Sequence, residues 1–74
     1  MEIPYINYHD EAERIRIAQE CNRAMKVMFN QASYDQTAAR LLCEIALMAL
    51  VSPSDVVLAN QEKIKTAMRL AQDY

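Results

Sequence analysis

From Asp10 onward the apolar positions recur at helical spacing. Ile15, Ala18, Cys21, Met25, Met28 and Ala32 trace one stripe, and Arg16, Gln19, Arg23, Lys26 and Asn30 trace the opposite one. This pattern predicts a first helix from Asp10 to about Gln31. Asp10 is placed to accept from the first free backbone N–H groups, and Glu11 and Glu13 sit in the first turn, where the helix dipole favours acid. After a brief stop at QAS, Ser33 and Gln36 have the spacing of a capping box, which predicts a second helix over residues 34 to 51. In VSPSD, Ser52 is the expected cap and Pro53 the first residue of a third helix, where a missing N–H costs nothing. That helix is expected to run to about residue 72, with Val57, Ile64, Met68 and Ala71 inward and Glu62, Lys65, Arg69 and Gln72 toward water. Before Asp10, MEIPYINYH combines Pro4 with Ile3, Tyr5, Ile6 and Tyr8 and reads as an extended arm that packs on something.

Short connections make neighbouring helices antiparallel. If the first turn is centred near residue 32, Cys21 lies level with Cys43, Met25 with Ala39, and Ala18 with Ala46. Around the second turn, Met48 lies level with Val57 and Leu41 with Ile64. All five pairs are apolar, as the register of a hairpin on each side of the second helix requires. The expected fold is therefore all-α: a three-helix antiparallel bundle over residues 10 to 74, with residues 1 to 9 as an extended arm.

The second helix raises a question of cover. LLCEIALMALV, residues 41 to 51, carries one charge, and from Ile45 to Val51 there is no polar position on any face. That is the pattern of a helix buried all round, yet two neighbours in a bundle leave one side open. A self-complementary patch closed by a two-fold axis is the common solution, so the chain is expected to dimerise through this helix, at Leu42, Ile45, Leu47, Met48, Leu50 and Val51. The arm folding back over the run is the other way to cover it. Leu47→Asp is expected to abolish the dimer or the fold, and Arg23→Glu, on the outer face, to leave thermal stability nearly unaltered.

Composition supports a small helical domain. The 74 residues include no glycine, two prolines and no tryptophan, with 53% apolar residues, while a chain this short buries only about 60% of its unfolded surface, so a second chain would add to its stability. Eight basic and ten acidic residues give a net charge of −2, which opposes non-specific attraction to nucleic acid or anionic lipid. The opening lacks the basic start and apolar core of a signal peptide, and the apolar run is far short of the roughly 20 residues that span a bilayer. The expected location is the cytoplasm, without membrane attachment.

Candidate chemistry is thin. Cys21 and Cys43 belong to no metal-binding spacing, and although level thiols invite a disulfide, burial in an apolar stripe lowers thiol reactivity. His9, the single histidine, lies in the arm without a glycine-built turn or oxyanion loop nearby. Glu20 and Glu44 face each other across the first hairpin, but the Glu-x-x-His pairs of helical di-iron sites are absent. No enzyme, cofactor or metal site is expected. The basic residues Arg16, Arg23 and Lys26 of the first helix, and Lys63, Lys65 and Arg69 of the third, are diluted by neighbouring acids, which disfavours nucleic acid as a partner. Tyrosines suit protein interfaces, and Tyr5, Tyr8, Tyr34 and Tyr74 sit in the arm, at a turn and at the C-terminus. The expected function is a non-enzymatic adaptor or inhibitor that binds another protein as a homodimer, with these tyrosines and Arg16, Arg23 and Lys26 as partner-binding residues. Compact acidic single domains of this kind are frequent among phage and mobile-element regulators. The rival reading is a dimeric transcriptional regulator that places the third helix or the basic stripe of the first on DNA.

Overall fold

The computed structural model describes residues 10 to 74; the arm, with its Tyr5, Tyr8 and His9, lies outside the described residues. These 65 positions form four helices and no strand: α1 (Glu11–Phe29), α2 (Gln36–Val51), α3 (Ser54–Ala59) and α4 (Gln61–Gln72). Packing joins α1 to α2, α1 to α4, and α2 to α4. Arg14, near the start of α1, reaches Ala49 and Ser52 at the end of α2, so the start of α1 lies beside the end of α2.

Each boundary has a local cause. Asp10 caps α1 as expected, its carboxylate accepting from the Ala12 N–H at 2.9 Å. At α2 the capping-box expectation fails. The helix begins two residues later, and Asp35 is the cap, accepting from the N–H groups of Thr37 at 2.9 Å and Ala38 at 3.3 Å. A carboxylate satisfies these donors and also meets the positive end of the helix dipole, so it outcompetes the neutral serine two positions earlier. At the other end, Pro53 disfavours helical geometry in the residue before it. Ser52 accordingly turns extended (φ −84°, ψ 148°) and closes α2, and Pro53 flanks α3 as its cap instead of being its first helical residue.

The single third helix expected over 53 to 72 is broken at Asn60, which leaves helical geometry at φ −108°, ψ 20°. Its side-chain amide donates to the Val56 carbonyl at 2.8 Å, the acceptor that its own N–H would use in a continuous helix. The backbone N–H turns to Val57 instead, at 3.1 Å. This is how asparagine competes with the helical ladder.

The core comprises Ile17, Ala18, Cys21, Ala24 and Met28 from α1; Ala38, Leu42, Ile45, Ala46 and Ala49 from α2; Val57; and Ile64, Ala67, Met68 and Ala71 from α4. All four inward positions expected for the third helix are buried. The α1 stripe is rotated from the expected one: Ile15 is 40% exposed, Ala32 is exposed and Met25 half-buried, while Ile17 and Ala24 are fully enclosed. Seven of the fifteen core residues are alanines. Such small side chains allow helix axes to approach closely, and a search for large apolar residues does not mark them.

Candidate interaction surfaces

The outer face of α2 is the first surface. Leu42 and Ile45, expected at a dimer interface, are wholly buried in the chain's own core, and Met48 is half-buried against it. The other three point outward: Leu47 is 58% exposed, Leu50 54% and Val51 75%. Thus α2 is not buried all round among the described residues. The described helices leave one side of its apolar run open, as the packing argument requires. On α1, Ile15 borders this face and lines a depression of about 360 Å³ with Leu50, Ala49, Glu11 and Arg14.

Toward the other end of α2 the outer face changes character. Arg40, Cys43 and Glu44 are exposed there, and beside them the α1–α2 turn contributes two aromatic rings. Phe29 and Tyr34 meet edge to face, centroids 5.0 Å apart and planes at 66°, the arrangement that sets the positive ring edge against a negative ring face. With Gln36, Ala39, Arg40 and Cys43 they line an open groove of about 260 Å³.

Four of the eight basic residues are held in ion pairs. Arg16 pairs with Glu13 at 3.0 Å, Arg23 with Glu20 at 3.1 Å, Lys63 with Glu44 at 3.1 Å, and Lys65 with Glu62 at 3.6 Å. Arg23 has a further role. Its guanidinium also donates to the carbonyls of Tyr74 at 2.8 Å and Ala71 at 3.0 Å, so it holds the C-terminal end of α4, where the helix dipole is negative. Arg23→Glu would therefore remove two contacts to the end of α4 and set a carboxylate beside their carbonyl oxygens, which the expectation of unaltered stability did not foresee. Arg14, unremarked from sequence, does the same for α2, donating to Ala49 at 2.9 Å and to Ser52. Its signal is position, since 14 continues the buried line 17, 21, 24, 28 by one turn. A cation at the end of an apolar stripe has a carbonyl or carboxylate to meet. Lys26 is exposed.

Tyr34 lies in the aromatic groove, whereas Tyr74 is half-buried against the core, its carbonyl held by Arg23. The two thiols, level in register, point differently: Cys21 is fully buried and Cys43 exposed on the outer face, and both are free. Burial pushes the Cys21 thiol up to about 11, with a smaller contribution from the neighbouring Glu20 carboxylate. Glu20 and Glu44 are each paired with a cation, Arg23 and Lys63, and no group of three or more side chains that could hold a metal ion occurs among the described residues. No helix there is long and apolar enough to cross a membrane. Set against known proteins, the chain matches no family model, no curated protein and no solved structure.

Proposed function

We propose that this chain is a non-enzymatic regulator that binds another protein and acts as a homodimer, its broken third helix completing an antiparallel bundle that pairs through α2. The observation that carries this reading is the outward row of Leu47, Leu50 and Val51 with Ile15 beside it. Contiguous exposed apolar side chains of this kind mark interaction sites. Removing each from water contributes on the order of 1 kcal/mol, since full burial of such a side chain is worth about 1.5–3. The row bears no charge, so two copies meet there without like-charge repulsion, and a two-fold axis satisfies both at once.

The DNA-binding alternative is disfavoured by the fate of the cations. In each helix proposed to contact phosphate, lysines or arginines are engaged by neighbouring carboxylates or helix-end carbonyls. A chain that neutralises several phosphates would be retained on heparin and released steeply as salt rises; this one is expected to pass through.

Leu47→Asp tests the reading. Because Leu47 lies outside the chain's own core, the variant is expected to keep its helical circular dichroism and run at half the native mass on a sizing column with light scattering. A helical variant of unchanged dimeric mass would remove the outer face of α2 from the interface.

A further inference from the structure

The groove at the α1–α2 turn lies at the opposite end of α2 from the apolar row, and its lining differs in sign from the chain around it. Although the protein carries ten acidic residues and a net charge of −2, none of the residues lining the groove is acidic. Two carboxylates adjoin the lining in sequence: Asp35 is turned into the start of α2 by the N–H groups of Thr37 and Ala38, and Glu44, next to Cys43, is paired with Lys63 at 3.1 Å. Arg40 contributes a cation with no ion pair among the described residues, unlike Arg16, Arg23, Lys63 and Lys65. Phe29 is 53% exposed and Tyr34 42%: two aromatic faces in water beside a guanidinium without an ion pair among the described residues.

We infer that this groove receives an acidic peptide segment of the partner protein, one that presents an aromatic or branched apolar side chain next to carboxylates. The apolar side chain seats against Phe29, Tyr34 and Ala39, and a flanking carboxylate accepts from the Arg40 guanidinium, whose planar fork suits it. Aromatic and arginine side chains are the types that dominate interface energetics. A volume of about 260 Å³ holds one or two side chains and is small for a free organic ligand, which favours a peptide anchor. Lys26, exposed one helical turn before Phe29, is a second positive charge in the last turn of α1. The inference rests on the protein-binding reading above, and it supplies the chemistry of the partner.

The test uses the full chain labelled with nitrogen-15 and three blocked pentapeptides: phenylalanine flanked by two glutamates on each side, the same with lysines, and five glutamates. The aromatic acidic peptide is expected to shift the amides of residues 29 to 43. The lysine peptide should leave them in place, and the all-glutamate peptide should bind at least fivefold more weakly. Arg40→Glu, at an exposed position that caps nothing, should weaken binding at least tenfold, and Phe29→Ala should do so while Leu47→Asp does not. Equal response to the lysine peptide, or shifts outside the groove, would overturn the assignment. So would groove shifts that grow with protein concentration alone, since a second copy would then be the occupant. Light scattering on the same samples separates the two proposals: a dimer that ignores the peptide loses the groove alone, and a monomer that binds it loses the dimer alone.

Discussion

Helices α2 and α4 pack against α1 and against each other, yet they treat water differently. α4 is divided cleanly: Ile64, Ala67, Met68 and Ala71 are buried, while Glu62, Lys63, Arg69 and Gln72 are exposed. α2 buries a comparable set, Ala38, Leu42, Ile45, Ala46 and Ala49, but its opposite side presents Leu47, Leu50 and Val51. The inner faces need the same chemistry because they share one core. The outer faces need not, and the difference identifies the side of the molecule whose composition folding alone does not explain. A helix that meets only solvent on its outer face has no use for leucine there.

The largest expected effect lies within α2 itself. Ile45→Ala should destabilise the chain by about 2–5 kcal/mol through lost burial and a residual cavity. Leu47→Ala, two residues on, should cost no more than about 0.5 kcal/mol in chemical denaturation at concentrations where the chain is monomeric. Comparable losses at both positions would mean that the outer face is part of the monomer's core.

Next come the arginine clamps. Arg14→Ala leaves the Ala49 and Ser52 carbonyls without their donor and should cost about 1–3 kcal/mol, whereas Arg69→Ala, on the exposed side of α4, should stay within about 0.5 kcal/mol. Urea midpoints for both variants give the comparison directly, and equal midpoints would show that the clamp contributes nothing to stability.

Cys21 gives an effect confined to alkaline pH. Below pH 9 its thiol keeps its proton in the folded and the unfolded chain, so stability is unaffected. Between the ordinary value of 9.0 and the raised value of about 11, the unfolded chain releases the proton and the folded chain retains it. Stability therefore falls as pH rises through this window, by at most about 1.4 kcal/mol per pH unit. Cys21→Ala should lose that component of the slope, and Cys43→Ala, on the exposed side, should retain it. A Cys21→Ala slope equal to the native one would place the thiol in water.

How far the sequence reveals this architecture depends on the kind of signal. Helical spacing locates α1 and α2 and the inward residues of α4, because apolar periodicity and burial have a common cause. It misplaces the α1 stripe by selecting Ile15 and Met25 over Ile17 and Ala24: the two isoleucines carry equal hydropathy and only the docking of α2 and α4 decides which turns inward, while alanine carries little hydropathy to mark it. The break at Asn60 depends on one side-chain amide winning a carbonyl, a local competition that periodicity does not register. The open side of α2 was legible from seven consecutive nonpolar residues. Its limits were not, because which apolar residues turn inward depends on where α1 and α4 dock. The aromatic groove depends on Phe29 and Tyr34 meeting across a turn, and Arg14 and Arg23 bind carbonyls 35 to 51 residues away in the chain, contacts that local spacing does not encode.

The central claim is that the outer face of α2 is covered by a second copy of the chain. Sedimentation equilibrium over a hundredfold range of concentration tests it most directly. The account predicts a mass of twice 8.5 kDa that falls toward the single-chain value only at the dilute end. A mass of 8.5 kDa at every concentration would contradict it and leave Leu47, Leu50 and Val51 to be covered by something other than their own copy.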